Sequence, residues 1–402
     1  MKKSFLLIVL LLIAHSVICR SAIGAQPSDT TNLPEANKAC YLADPDGRIR
    51  VSINIDQALI PASILKILTA LAARHYLGAD HRFKTDLYLD ASDNLKIKGY
   101  GDPLLTSEVL ASLAEAALAP LSSHSPGIQH LILDSSFFSE PIVIPGVADS
   151  LEPYDAPNGA LSANFNTVSF ITANGTHAGA EPQTPLVPSV LPRIQASGLK
   201  EGRIPLTNRN HEVPLYLGEI LSFQLARRGI LFHKSIQPGS VNSATDRCIL
   251  SFSSPYSLDD TLSKLMAYSS NFIANQLFLS IGAKAFGPPG TLEKGIRATR
   301  DYAEKILGIS PLQIVEGSGI SRENRLSART MARLLQAFLP HRELMRQTER
   351  EYYKTGTMDG ISTRAGYLKG ANGTLYPFVV MLNTKGQSMD RVMEKLRRII
   401  AH

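Results

Sequence analysis

Apolar residues recur along this chain in two rhythms. Between Ala39 and Ile55 they alternate with polar residues on both sides of Asp44-Pro45-Asp46-Gly47, and a period of two flanking a turn sequence predicts a β-hairpin. Pro61 opens an apolar-rich run, Ala62 to Leu77, closed by Gly78. Proline at the start and glycine just past the end mark that run as a helix. Short strands are predicted at Asp86 to Leu89, Leu95 to Lys98 and His130 to Leu133, with an Ala-rich helix near Ser107 to Leu118. Pro141 to Pro214, rich in proline, glycine and asparagine, reads as loops and short strands, and a helix follows at about Tyr216 to Arg228, ended by Gly229. Beyond Cys248 the helical period returns. Ser257 caps a helix reaching Tyr268, with Asp260 as its capping-box partner, and further helices are predicted at Phe272 to Ile281, Leu292 to Leu307 and Ala328 to Leu339. Strands near Tyr353 to Thr357, Gly360 to Leu368 and Leu375 to Leu382, then a helix from Met389 to Ile400, close the chain.

The first residues follow a different logic. Met1, Lys2 and Lys3 precede the apolar run Phe5 to Ala14, and Ala22-Ile23-Gly24 offers a small-x-small cleavage site, the pattern of a secretory signal peptide over residues 1–25. The apolar run is short of the roughly 20 residues that span a bilayer. Cys19, in Ser-Val-Ile-Cys, makes a poor lipoprotein site. The expected location is the periplasm. With 402 residues, 44% of them apolar and 19% charged, the chain is sized for two domains and is neither disordered nor a many-span membrane protein. A net charge of +6 raises nucleic acid as a partner, but cleavage removes Lys2, Lys3 and Arg20 and leaves 38 basic against 35 acidic residues, so no nucleic-acid partner is expected. Export would put Cys40 and Cys248 in an oxidising compartment, where they either pair or stay as two buried thiols. No metal or other cofactor is expected: the ten histidines show no His-x-x-x-His pair, and the two cysteines are far apart.

Three short patterns carry chemistry. Ser63 and Lys66 stand one turn apart on the first helix, so hydroxyl and amine share a face, and the apolar neighbours Ile64, Leu65, Ile67 and Leu68 disfavour the ammonium form. A neutral amine there would accept the serine proton, and the Ser63 N–H, near a helix N-terminus, would face an oxyanion. Ser269-Ser270-Asn271 falls in the break between two helices, where it either caps its own helix or points polar groups into a cleft. Lys354-Thr355-Gly356-Thr357 begins a late strand: glycine leaves room for a substrate backbone alongside, and lysine and threonine suit a carboxylate. Each pattern alone is weak, and Ser197 to Lys200 and Ser162 to Asn164 are chance copies of the first two. In this order and context the three form the set of penicillin-binding proteins and serine β-lactamases.

Between Ser63 and Ser269 there is room for an inserted domain. The chain resembles the D-alanyl-D-alanine carboxypeptidase/endopeptidase family, the class C low-molecular-mass penicillin-binding proteins, which carry a large insertion between these two motifs. The matching strings are Pro-Ala-Ser-Ile-Leu-Lys at 61–66, Gly-Asp-Pro-Leu-Leu-Thr-Ser-Glu at 101–108, Leu-Asp-Ser-Ser-Phe-Phe at 133–138, Ser-Ala-Asn-Phe-Asn at 162–166, Glu-Gly-Ser-Gly-Ile-Ser-Arg-Glu-Asn-Arg-Leu-Ser at 316–327 and Lys-Thr-Gly-Thr-Met-Asp-Gly-Ile-Ser at 354–362. The resemblance implies an α+β fold: a β-lactamase/transpeptidase-like catalytic domain of antiparallel sheet flanked by helices, residues 26–83 and 248–402, interrupted by an inserted α/β domain at 84–247. It implies an acyl-enzyme on Ser63 with Lys66 as base, acting on peptidoglycan stem peptides and trapped by β-lactam antibiotics. Ser269 and Asn271 would relay the proton and hold the peptide, Lys354, Thr355 and Thr357 would engage the departing carboxylate, and the N–H groups of Ser63 and Thr357 would hold the oxyanion. Gly356 and Met358 complete the expected substrate-binding strand, with Met358 lining a side-chain pocket or the core. Two departures stand out: Ser270 replaces the family's usual aspartate, and the insertion is shorter than in larger members, chiefly after Thr167.

Glu316 to Ser318 and Arg322 have two readings, a glycine turn with a structural salt bridge or part of the substrate rim, and the turn is favoured. A serine β-lactamase shares the motifs but needs a glutamate-activated water, and a non-catalytic peptidoglycan-binding protein would have no need of Ser63, Lys66 and Lys354.

Overall fold

The computed structural model describes residues 37–122 and 127–401; the predicted signal peptide and Cys19 lie outside them. The expected hairpin forms from Lys38–Ala43 (β1) and Ile49–Ile53 (β2). A 3-10 turn at Ala62–Leu65 leads into the helix Lys66–Leu77 (α1), which is buried on almost every side from Lys66 to Ala73. A helix apolar all round belongs at the centre of a protein, and α1 runs through the middle of the main core.

Next come Arg82–Leu89 (β3), Leu95–Gly99 (β4), Ser107–Ser122 (α2) and Leu131–Asp134 (β5). The Pro/Gly/Asn-rich stretch holds Thr167–Ala173 (β6), Thr176–Gly179 (β7), Leu191–Ser197 (α3) and Glu201–Pro205 (β8). The helix Glu212–Ala226 (α4) starts four residues before the expected Tyr216, because Pro214 sits in its first turn, where a missing N–H costs nothing. Ile236–Pro238 (β9) precedes Arg247–Ser257 (β10), an eleven-residue strand in a stretch read as the resumption of helix. Its serines and Pro255 blur the strand pattern, and it is tolerated because β10 is an edge strand that, among the described strands, pairs only with β3.

The second half follows the sequence closely. Ser257 and Asp260 form the expected capping box of Leu258–Tyr268 (α5), followed by Asn271–Phe286 (α6), Leu292–Lys305 (α7) and Ala328–Phe338 (α8). The chain ends with Arg346–Gln347 (β11), Glu351–Met358 (β12), Ile361–Lys369 (β13), Leu375–Leu382 (β14) and Met389–Ala401 (α9). None of the described helices is long and apolar enough to cross a membrane.

The described strands form three sheets. Six antiparallel strands in the order β11-β12-β13-β14-β1-β2 join the two ends of the chain. The pleat sorts their side chains: Ala39, Ala365, Tyr367, Val379 and Met381 face the helical core of α1 and α5 to α8, while Cys40, Leu42, Phe378 and Val380 face α9. Glu351, 1% exposed, pairs with Arg364 of the neighbouring β13 and with Arg397 of α9, each at 2.8 Å, and the second pair pins α9 to this sheet. A mixed sheet, β10-β3-β4-β5-β9, packs against α2 and α4, and β7-β6-β8 form a small antiparallel sheet beside it. Cys40 and Cys248 are both free: Cys40 is buried on β1, where burial pushes its thiol up to about 12, and Cys248 is exposed on β10.

Phe278 on α6, 1% exposed, meets Gly295 of α7 and Gly317, where a Cβ would lie 2.6 Å and 2.8 Å from its ring. It therefore packs two helices and the 316–319 turn at once. We expect Phe278→Ala to cost about 3–5 kcal/mol, read as a lower urea midpoint at unchanged slope. A loss below about 1 kcal/mol would contradict this packing role.

Candidate active site

The site begins where the 3-10 turn meets α1. In such a turn residues i and i+3 eclipse, so Ser63 Oγ and Lys66 Nζ come to 2.8 Å. Lys66 is fully buried and donates to Asn271 Oδ1 at 2.8 Å and to the Ser318 carbonyl at 2.7 Å. The Asn271 amide is oriented by its own Nδ2, which donates to the Tyr154 carbonyl at 3.2 Å. Two of the three groups around the amine are thus obligate acceptors, and the third is a hydroxyl. A neutral amine matches that set, since its two protons serve the carbonyl oxygens and its lone pair meets the Ser63 O–H. Burial, and then the nearby cation Lys354, hold the Lys66 amine well below the ordinary lysine range, against a smaller opposing pull from Glu316.

Glu316 explains why Ser318 stands where it does. Its carboxylate is fully buried and accepts from Ser318 N and Oγ at 2.6 Å, Gly319 N at 2.7 Å and Asn324 Nδ2 at 2.6 Å. The glycine turn favoured from the sequence is there without its expected salt bridge: among the described residues N–H and O–H donors surround Glu316, and Arg322 donates to the Asp359 carbonyl at 2.7 Å. Gly319 has φ +83°, and a Cβ there would lie 2.0 Å from the Ala62 carbonyl, so this turn presses on the residue before Ser63. Thr69 Oγ1 ties α1 to the same turn through the Gly317 carbonyl at 2.6 Å.

The Ser-x-Asn segment divides the two roles weighed for it. Ser270 caps α6, accepting from Ile273 N at 3.2 Å, a task an aspartate would also perform. Ser269 sits in the left-handed region at φ 56°, and its Oγ accepts from Lys354 Nζ at 2.7 Å. A non-glycine residue held there costs of order 1–3 kcal/mol, and such strain clusters at functional sites. The chance copies do other work. Ser197 donates to the Ile194 carbonyl at the end of α3, while Ser162 and Asn164 are tied into the loop before β6.

Lys354, 1% exposed, lies on β12 with a second bond to the Thr355 carbonyl at 2.7 Å; burial first, and Arg346 second, push it down to about 7. The pleat puts Lys354, Gly356 and Met358 on one face of β12 and Thr355 and Thr357 on the other. Gly356 has a tighter reason than room for substrate: a Cβ there would lie 2.6 Å from Ser63 N and 2.5 Å from Thr363 Oγ1. The strand thus lies directly against the backbone of the Ser63 turn. β11 covers β12 only as far as Tyr353, so from Lys354 onward that edge is open among the described strands. Lys354 and Gly356 reach the Ser63 cluster, whereas Thr355, Thr357 and Met358 line the open edge with no side-chain bond to it.

Three participants carried no readable sequence signal: the Ser318 carbonyl, the Tyr154 carbonyl and Arg346. Arg346 donates to the Ala267 carbonyl just before Ser269 and depresses Lys354 from β11. Backbone acceptors have no residue signature, and an exposed arginine is ordinary.

A helix-flanked antiparallel sheet with a serine and a buried lysine at its centre defines the β-lactamase/transpeptidase-like class. The chain matches the D-Ala-D-Ala carboxypeptidase 3 (S13) family over residues 22–201 and 192–349, and it belongs to that family. It is a serine-type peptidase with D-Ala-D-Ala carboxypeptidase activity. A D-alanyl-D-alanine carboxypeptidase of an Actinomadura species is 27% identical over 393 residues, 79% of this chain and 72% of its own. One from Haemophilus influenzae is 24% identical over 439 residues, 92% of this chain and 90% of its own. Among solved structures, penicillin binding protein 4 from H. influenzae has the same fold, with a TM-score of 0.73 at 21% identity, covering 91% of this chain and 96% of that one. A predatory peptidoglycan endopeptidase from Bdellovibrio bacteriovorus gives 0.50 at 17%, covering 90% and 91%.

Between about pH 7 and the ordinary lysine range the unfolded chain keeps a proton that folded Lys354 has lost, so this group makes the fold more stable as pH rises through that window. In NMR of lysine-labelled protein we expect a titration near pH 7 that disappears in Lys354→Arg. Finding every lysine at its ordinary value would contradict the burial described here.

Proposed function

We propose that Ser63 is the nucleophile of an acyl-enzyme mechanism on peptidoglycan stem peptides ending in D-Ala-D-Ala, with Lys66 as its base. The observation that carries this is the hydrogen-bond set of Lys66, which suits an amine free to take the Ser63 proton. Ser63 Oγ bonds to the carbonyl carbon of the penultimate D-Ala while its proton passes to Lys66. The C–N bond then breaks, and the leaving amine takes a proton through Ser269, which Lys354 holds in place. Asn271 orients the peptide. The open edge of β12 accepts it as an added strand, with Thr355, Thr357 and Met358 beside it and Lys354 supplying a cation for the terminal carboxylate. The contact of Gly356 with Ser63 supports an oxyanion hole from the N–H groups of Ser63 and Thr357. Water then releases the peptide. Release of a terminal D-Ala and cleavage of a crosslink through D-Ala break the same kind of bond, so the reading includes endopeptidase action, the activity named for the Bdellovibrio relative.

Covalent capture by β-lactams belongs to the same proposal. Relatives have been solved in complex with a β-lactam and acylated by penicillin G. The carboxylate beside Lys66 is that of Glu316, buried and engaged by five donors among the described residues, which leaves it unsuited to activate a water for rapid deacylation. That favours a slow acyl-enzyme over a β-lactamase. We further propose a catalytic domain that leaves and re-enters the six-stranded sheet around an insertion. The mixed sheet supports this and extends the insertion to Ser257, since β10 pairs with β3. A cleaved signal peptide and periplasmic location complete the reading, supported by the residues at the N-terminus and by a cell-wall substrate.

Fluorescent penicillin should label the wild type stoichiometrically and leave Ser63→Ala unlabelled, with the adduct persisting for many minutes. No labelling of folded wild type would sink the nucleophile assignment, and rapid steady-state turnover of the β-lactam would replace the carboxypeptidase reading with a β-lactamase.

A further inference from the structure

A cavity of about 650 Å³ opens on the side of Ser269–Asn271 that faces the inserted segment. One wall comes from Tyr154, Phe165 and Arg203, the other from Lys264 and Tyr268 of α5 and its end. Its size falls within the range of small-molecule sites, and its composition is lopsided in charge. Two cations line it and no carboxylate does. Arg203 lies with its guanidinium carbon 5.4 Å from the centre of the Phe165 ring, steadied by a bond from Nε to Thr167 Oγ1 at 2.7 Å. Lys264 lies with Nζ 5.2 Å from the centre of the Tyr256 ring. The nearest acids lie outside the lining: Glu181, which accepts from Ser169 and Thr184, stands within the field of Arg203, and Asp260, held in the capping box by Ser257, within that of Lys264. Arg203 is exposed and Lys264 half-buried, so both remain open to a ligand.

We propose that this cavity is a second substrate subsite, which takes a carboxylate-bearing arm of the stem peptide while the scissile bond lies at Ser63. The inference rests on the acyl-enzyme reading above and adds to it where the rest of the substrate goes. Continuity argues for a peptide arm over an unrelated anion, because Ser269 and Asn271 form part of the cavity wall and also touch the two lysines of the site. Aromatic walls suit the backbone and aliphatic parts of such an arm. Arg203, whose Nε donates to Thr167 and whose Nη2 donates to the Asn164 carbonyl at 3.5 Å, offers a carboxylate the Nη1/Nη2 end of its guanidinium, with Lys264 adding a point charge.

Three synthetic substrates test this. One is a pentapeptide ending in D-Ala-D-Ala with a γ-linked D-glutamate carrying a free α-carboxylate, the second is its α-carboxamide twin, and the third is an N-acetylated tripeptide ending in D-Ala-D-Ala. For the wild type we expect kcat/KM to favour the free carboxylate over the carboxamide by about tenfold, the size of one charge-assisted hydrogen bond. The double variant Arg203→Gln with Lys264→Gln should bring the twins to within about twofold while leaving tripeptide turnover and penicillin labelling unchanged. Equal rates for the twins in the wild type, or a preference that survives the double substitution, would overturn the subsite. The tripeptide reports on the underlying reading separately. If folded wild type releases no D-Ala from it, the acyl-enzyme assignment fails and the subsite fails with it. Normal tripeptide turnover without a carboxylate preference removes the subsite alone.

Discussion

One buried amine organises this molecule. Among the described residues Lys66 has no ion-pair partner within bonding distance, and its nitrogen is shared among residues 3, 205 and 252 positions away in the chain. A charged ammonium sealed from water is expensive, and a neutral amine with every polar atom matched is not. The position is therefore tolerable only if three distant segments arrive together with the correct acceptors. That requirement links the 3-10 turn, the start of α6 and the turn after Val315 into a single constraint.

The surroundings can be read as answers to it. Glu316 spends its carboxylate on the local N–H and O–H donors, which fixes the Ser318 carbonyl as an acceptor and leaves no salt bridge for Lys66. Gly319 and Gly356 let the turn and β12 close on the Ser63 backbone from two sides. Phe278 fills the space behind that turn. Lys354, itself depressed by burial, stands near enough to hold Lys66 down further, and it keeps Ser269 in a conformation a serine does not choose. Stability and chemistry thus draw on the same contacts.

Much of this was legible in the residues. Capping pairs, the Pro61 and Gly78 bracket of α1 and the alternation in β13 and β14 are local signals, and local signals survive folding. The Ser63, Lys66, Ser269, Asn271 and Lys354 constellation was readable because side-chain chemistry has residue identity. The strand β10 was not, since an edge strand tolerates serines and a proline that dilute its pattern. Nor were the carbonyls of Ser318 and Tyr154, because any residue supplies one. Gly356 carries a second requirement that no sequence pattern shows: its missing side chain makes room for the protein's own backbone at Ser63. The pairing of Cys40 with Cys248 had no local signal in either direction, and the fold keeps both thiols free, one buried on β1 and one exposed on β10.

The proposed role of Lys66 as a neutral base is decided by the pH dependence of acylation by penicillin in wild type and in Lys66→Arg. With a neutral amine as base, the acylation rate constant rises with pH along a limb well below the ordinary lysine range, and Lys66→Arg, verified as folded, acylates at least about a hundredfold more slowly, the scale of lost general-base catalysis. A limb at the ordinary lysine value, or near-normal acylation with a permanently charged arginine in place, would contradict it.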